Sequence, residues 1–472
     1  MRLRRSWLLA ALAAGFVLAG ASPAVAQSPL CKPPQCAQEK FVVPWLDTPI
    51  DVLLLLPRRL ATSSRRYPVV YLFHCGGCGP ENNLDGLNLP RFLATRPRDQ
   101  QAIVVMPHMG WGIPGDYRDG SQLWESFFTR ELIPRIEAKY APSTTRSQRA
   151  VMGWSIGGLG ALRYAARHPD LFVAAGSFSG IVDITRRDVE SPAISFAFLL
   201  ARCGGHPSCP PSASGVYGDP ILDAVWWHNA NPPDLAPNVD GLTVYNASGN
   251  GVPCDANDAE ILVTRPQNLT FLEGWIHDMN VGFDEALTAA KVPHRTHLRP
   301  CGIHWPHPHN ERDLAEFWPL MSHSFGRSVP RSFRYRRVDP RFSVWGWSFK
   351  ADPGRAAEFL DIRDASRKGL TLSGSGTESV TTAKLFHPKQ VVLLSGATKT
   401  RARADRRGRL SFNVNLGPAH RMQQFTVQAR LAGEGRAGYF MTRRVVFRPI
   451  EPGQPAKHRK HRHRGDGQGD DD

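Results

Sequence analysis

At 472 residues the chain is too long for one ordinary hydrophobic core, and its 42% apolar content excludes a largely disordered polymer. The formal charge of +16 comes mostly from arginine spread along the whole sequence. No basic helix or aromatic-basic module goes with it, so the balance argues against nucleic acid and for contact with polyanions such as cell-wall polymers or anionic lipids.

In chain order, Arg2, Arg4 and Arg5 precede an apolar run from Trp7 to Ala21 and an A-x-A site at Ala24-Val25-Ala26. This pattern predicts a signal peptide over 1–26, a mature start at Gln27 and a secreted or cell-wall protein with no stable membrane span. Eight cysteines, all before residue 302, agree with export and predict disulfides. The sequence does not fix their pairing; 31–36 and 203–209 are the shortest local pairs, with 254–301 as a fastening of the loop near the site. Cys75-Gly76-Gly77-Cys78 reads as a structural disulfide, because a second C-x-x-C and a thioredoxin-like βαβ context are missing.

Strand-like and helix-like runs alternate through 27–328. Val52 to Leu56, Val69 to Phe73, Ala102 to Met106, Phe172 to Gly180, Leu242 to Tyr245 and His294 to Leu298 read as strands. Leu123 to Tyr140 reads as an amphipathic helix with Trp124, Phe127, Phe128, Leu132 and Ile136 on one side. Such alternation predicts an α/β fold, a mostly parallel sheet covered by helices. Within it, Gly153-Trp154-Ser155-Ile156-Gly157 follows the apolar run Arg149 to Met152 and precedes a helix-like run closed by Pro169. That is the setting of a nucleophile elbow, which holds a serine hydroxyl out above the sheet, and it makes the core an α/β-hydrolase.

A serine needs a base, an acid and oxyanion donors, in the order Ser, Asp or Glu, His. The base is sought in Cys301-Gly302-Ile303-His304-Trp305-Pro306-His307-Pro308-His309. His304 follows a strand and a short loop, with His307 and His309 as competitors. A metal reading of this cluster lacks a carboxylate-bearing motif. Asp255, Asp258, Glu273, Asp278 and Asp284 are candidate acids, and spacing alone does not choose among them.

Near Pro330 the pattern changes to short alternating runs. They are Phe342 to Trp345, Gly369 to Leu372, Ser379 to Thr382, Gln390 to Leu394, Leu410 to Val414, Gln424 to Val427 and Arg444 to Phe447. They predict a small all-β sandwich, Ig-like in strand spacing but without cysteine, over 329–450. Its Trp345 and Trp347 are candidates for sugar stacking or for core packing. The run Lys457 to Arg464 and the Gly/Asp end make 451–472 a disordered charged tail.

Residues from about 67 to 322 resemble the putative-esterase family of α/β-hydrolases, in particular the antigen 85 mycolyltransferases. The resemblance rests on Trp124 to Leu132, on Phe271-Leu272-Glu273-Gly274-Trp275 with Asn280 to Leu287, and on Gly302-Ile303-His304-Trp305-Pro306. It implies Ser155, Glu273 and His304 as nucleophile, acid and base. The oxyanion donors expected beside them are the N–H groups of Ile156 and of Gly76, with Cys75 as the alternative to Gly76. Where that family carries an acidic residue and an arginine in the oxyanion loop, this chain has His74 and Gly77, which weakens any inference of trehalose as acceptor. The expectation is an acyl-serine esterase or acyltransferase that needs no cofactor or metal. Its substrate would be a carboxylic ester, of a lipid or acyl-sugar, with the acyl group passing to water or a sugar hydroxyl. The competing expectation is an inert cell-wall or carbohydrate-binding protein on the same scaffold.

Overall fold

The computed structural model describes residues 35–58, 60, 66–141, 144–186, 209, 212–264, 269–305, 309–397 and 399–450. Residues 1–26, Cys31, Cys203, His307 and 451–472 lie outside them. Among the described residues no helix is long and apolar enough to cross a membrane.

Eight strands form the first sheet: β1 Cys36–Phe41, β2 Ile50–Leu55, β3 Val69–Phe73, β4 Ile103–Pro107, β5 Arg149–Trp154, β6 Ala174–Phe178, β7 Thr243–Ser248 and β8 His294–Leu298. Their order is β1-β2-β4-β3-β5-β6-β7-β8, antiparallel as far as β4 and parallel from there on. This is the α/β-hydrolase sheet. β3, β4 and β5 are buried along their whole length because helices cover both faces, hence their unbroken apolar runs. One face packs Phe73, Phe128, Tyr164 and Phe172; the other packs Leu314, Phe317 and Trp318.

The predicted amphipathic helix is helical from Trp124 to Tyr140 but opens into a π turn at Phe127–Leu132. Pro134 accounts for the opening: it lacks an N–H and its ring crowds the carbonyl one turn earlier, so the ladder widens upstream. All five side chains expected on its inner face are buried.

Ten more strands follow: β9 Ser332–Arg337, β10 Arg341–Val344, β11 Trp347–Lys350, β12 Leu360–Ser366, β13 Gly369–Gly374, β14 Thr377–Thr381, β15 Val391–Gly396, β16 Thr400–Arg403, β17 Ser411–Asn415 and β18 Met441–Pro449. They form two antiparallel sheets, β10-β11-β14-β17 and β16-β15-β18-β13-β12-β9. Val344, Trp347, Phe349 and Val414 from the first share one core with Tyr335, Leu360, Leu372 and Val445 from the second. One predicted strand is not there. At Gln424 to Val427, Thr426 caps a short helix, Val427–Leu431, by accepting a hydrogen bond from the Ala429 N–H, so capping overrides the β-like composition.

These sheets are docked on the hydrolase region. The Tyr335 hydroxyl donates to the Arg167 carbonyl, Asn238 exchanges two hydrogen bonds with the Arg336 backbone, and Val338 and Phe359 belong to the hydrolase core. Of the two candidate sugar-stacking tryptophans, Trp347 is buried in the β core. Trp345 is half-buried at the seam, where the Arg146 guanidinium lies 4.8 Å above its ring and Asp170 accepts its backbone N–H.

Candidate active site

Ser155 sits where β5 turns into the helix Ile156–Arg167, with φ of 57° and ψ of −122°. A non-glycine residue at positive φ is strained and persists only where its surroundings impose it. The turn is too tight for side chains on either flank. A Cβ at Gly153 would come 2.2 Å from the Gly157 carbonyl, and one at Gly157 would meet the Phe73 and His74 carbonyls at 2.6 Å. The two glycines therefore set the elbow's shape, and the elbow aims the serine.

The Ser155 hydroxyl lies 3.0 Å from His304 Nε2, and His304 Nδ1 lies 2.7 Å from Glu273 Oε2. Glu273 is fully buried on the helix Leu269–Ala289; its Oε1 accepts from the Ser179 hydroxyl and the Gly249 N–H, each at 2.7 Å. Burial pushes its carboxyl up, but the His304, Ser179 and Gly249 hydrogen bonds outweigh that and hold it below the usual carboxylate range. The acid thus stays ionised and fixes His304 with its proton on Nδ1, leaving Nε2 free to accept from serine.

The loop that carries His304 is fastened on several sides. Gly302 donates to the Val252 carbonyl and accepts from Gly251, and a Cys254–Cys301 disulfide joins the two loops. Trp154 stacks on the imidazole at 5.5 Å. Spacing had left five acids and three histidines open; geometry separates those it describes. Asp258 is engaged by His309 and Asp284 by His294, while among the described histidines only His304 reaches Ser155. Cys254, Asp258 and His309 cluster as metal ligands do, but the Cys254 sulfur is committed to the disulfide. His297, Asp313 and Glu316 also cluster, with Arg299 on Asp313 and Arg295 on Glu316 supplying positive charge instead.

The oxyanion loop is held by His74, which the sequence marked only as a departure from the family's loop. His74 is buried, and burial, with His108 nearby, pushes its imidazole down to about 3, so it is neutral. Its Nε2 accepts from the Met109 N–H at 2.8 Å, which leaves the proton on Nδ1 to be donated to the Cys75 carbonyl at 2.6 Å. The Cys78 N–H donates to the same carbonyl, and Cys75 and Cys78 form the expected disulfide. In a planar trans peptide the N–H points opposite to the carbonyl. Anchoring Cys75 O therefore turns the Gly76 N–H away from His74. Gly76 lies beside Ile156, where an added Cβ would sit 3.7 Å from the isoleucine side chain. Cys36 and Cys209 are disulfide-bonded as well.

Residues 44–306 match the family model described as Putative esterase. The chain belongs to that esterase family. Esterase Rv1288 of Mycobacterium tuberculosis is 32% identical over 263 residues, 53% of this chain and 52% of the relative. The diacylglycerol acyltransferase/mycolyltransferase Ag85B of Mycobacterium leprae is 32% identical over 199 residues, 40% of this chain and 55% of the relative. The chain thus spans about half the length of these relatives. A crystal structure of Mycobacterium tuberculosis MPT51 superposes with a TM-score of 0.49 at 19% identity, covering 61% of this chain and 99% of that one. The family match ends at residue 306, just past His304 and before the antiparallel sheets begin. Within the esterase region, Ser179 and Gly249 complete the acid's hydrogen bonds. Neither carried a signal in the sequence; the structure places both just after a strand.

Proposed function

We propose that the protein is a secreted serine esterase or acyltransferase that works through an acyl-serine. The observation that carries this reading is the unbroken hydrogen-bond chain from Ser155 through His304 to the buried Glu273, set on a strained elbow. His304 takes the proton of Ser155 as its Oγ attacks an ester carbonyl. The N–H groups of Ile156 and Gly76 receive the developing oxyanion, each contributing on the order of 3 kcal/mol to the transition state. His304 then protonates the leaving alcohol. In the second half, water or a sugar hydroxyl gives its proton to His304, attacks the acyl-serine and releases Ser155.

In this reading 1–26 is the export signal, 27–328 does the chemistry, 329–450 is an accessory β-sandwich and 451–472 a charged tail. The relatives' printed names, an esterase and a diacylglycerol acyltransferase/mycolyltransferase, support lipid or acyl-sugar esters as the substrate class. The test is labelling by a fluorophosphonate, followed by a screen of short- and long-chain esters with and without sugar acceptors. Labelling at Ser155 with ester turnover is the expected outcome. A folded protein that neither labels nor turns over any ester is instead an inert scaffold.

A further inference from the structure

A cavity of about 410 Å³ opens in the seam between the esterase region and the antiparallel sheets, lined by side chains of both. Its floor is out of charge balance. Arg163, Arg167 and Arg337, with side chains 5%, 8% and 11% exposed, share two carboxylates, Glu125 and Asp339. Arg167 Nε lies 2.8 Å from Glu125, Arg337 Nε lies 2.7 Å from Asp339, and Arg163 Nη2 lies only 3.5 Å from Glu125. Arg163 Nε is buried without a hydrogen-bond partner.

The rim repeats the imbalance. Arg130 and Arg341 line the cavity and make no side-chain hydrogen bond or ion pair among the described residues. The remaining lining carboxylate, Asp116, accepts from the backbone and hydroxyl of Ser126. Arg118, also in the wall, is paired with Asp223. Leaving out that pair, five guanidiniums face three carboxylates, an excess of two positive charges. Arg130 and Arg341 are exposed, so the cost of an uncompensated buried charge falls on the floor, where the buried Arg163 Nε–H calls for a bound partner.

We infer that this cavity binds a phosphate group, free or carried as a phosphoester. A phosphate dianion matches the excess of two charges, and its oxygens match the paired N–H donors of guanidinium groups. Because Arg163 and Arg167 come from the elbow helix while Arg337 and Arg341 come from β9 and β10, the ligand would join the two regions.

The experiment uses the full mature chain. Thermal melting and calorimetric titration are run with inorganic phosphate, glycerol 3-phosphate, acetate and chloride at matched ionic strength and pH. The expected result is a saturable rise in Tm with a phosphate group and none with acetate or chloride. Arg130→Ala/Arg341→Ala, a rim change that spares the buried floor, is expected to weaken phosphate binding at least tenfold and to leave kcat/KM on a small soluble ester unchanged. Tighter binding of glycerol 3-phosphate than of inorganic phosphate supports a phosphorylated glycan or lipid headgroup as the source; the reverse order supports the free ion. The site is overturned if neither phosphate compound raises Tm above the chloride control, if acetate acts equally, or if the double variant keeps wild-type affinity.

Discussion

In the esterase region Ser155 donates to His304, and His304 donates to Glu273. The C-terminal sheets bury the same three residue types in a different order. There Ser375 donates directly to Glu358 at 2.7 Å, and His420 Nδ1 lies 2.7 Å from the other Glu358 oxygen. Ser375 Oγ also accepts the His420 backbone N–H. Ser375 gives its hydrogen to the Glu358 carboxylate, so no histidine stands on its hydroxyl to take the proton and pass it to a leaving group. With Glu358 in the middle, the set is a clamp holding the loop at His420 against the turn between β13 and β14. What separates a nucleophile from a clamp is which group stands between the other two, and whether the backbone holds the serine out, as the positive φ of Ser155 does.

Breaking each set is the sharpest test of that contrast. Ser155→Ala is expected to lower kcat by about 10⁵-fold or more with the melting curve unchanged. Ser375→Ala should leave kcat on a small ester within about twofold and lower stability by about 1–3 kcal/mol, since it strips a hydrogen bond from buried Glu358. An active Ser155→Ala enzyme would remove the elbow from the mechanism. Glu273→Gln comes next. The amide keeps the shape but favours the wrong His304 tautomer, and about 10⁴-fold loss in kcat is expected. Glu358→Gln should leave kcat unaltered, and a loss there comparable to that of Glu273→Gln would mean that the two sets are coupled.

The contrast also explains what was legible in the sequence. Ser155 announced itself because an elbow needs glycines at fixed offsets from the serine. The buried strands β3 and β4 announced themselves as apolar runs. Glu273 did not, because an acid on a helix looks like any solvated carboxylate until the fold brings it beside His304; it was reached through family resemblance. His74, Ser179 and Gly249 act through contacts distant in sequence or through a backbone N–H, which no residue type marks. In the C-terminal region β9 and β12 were missed because arginines and aspartates mask their alternation. Phe333 and Tyr335 point inward in alternation with Arg334 and Arg336, which spend their charge on Asp240 at the seam and on Asp361 of the neighbouring strand. The strand expected at Gln424 failed for the opposite reason, its β-like residues being captured by a Thr426 cap.

A smaller effect is expected from the tether that the esterase site has and the C-terminal clamp lacks. Cys254 and Cys301, 47 positions apart, tie the loop after β7 to the loop carrying His304. Cys254→Ser/Cys301→Ser removes a cross-link that constrains the unfolded chain by up to about 4 kcal/mol. Urea unfolding should therefore show a lower midpoint, with kcat falling by only a few fold, because Gly251 and Gly302 still hold the histidine loop through backbone hydrogen bonds. An unchanged midpoint would show that this tether contributes nothing to the fold.

The smallest expected effect is a matter of sign. Burial pushes the Glu378 carboxyl in the C-terminal core up to about 7; nearby Arg355 opposes the shift and Glu358 adds to it. Glu273 is shifted the other way, below its usual range. A raised carboxyl binds its proton more tightly folded than unfolded. Its contribution is fully present below the unfolded value near 4.5 and is lost as pH climbs toward about 7. The lowered Glu273 contributes above its unfolded value and loses that contribution as pH falls. Glu378→Gln, neutral throughout, should thus match the wild type near pH 4.5 and become the more stable protein by about 3 kcal/mol above pH 7. Glu273→Gln should instead be the less stable protein at neutral pH, with the gap closing in acid. Urea melts of both variants from pH 4.5 to 8 read the two slopes directly. Slopes of the same sign would mean that the two buried carboxylates are not set by their different partners, and the comparison between the two regions would fail at its electrostatic step.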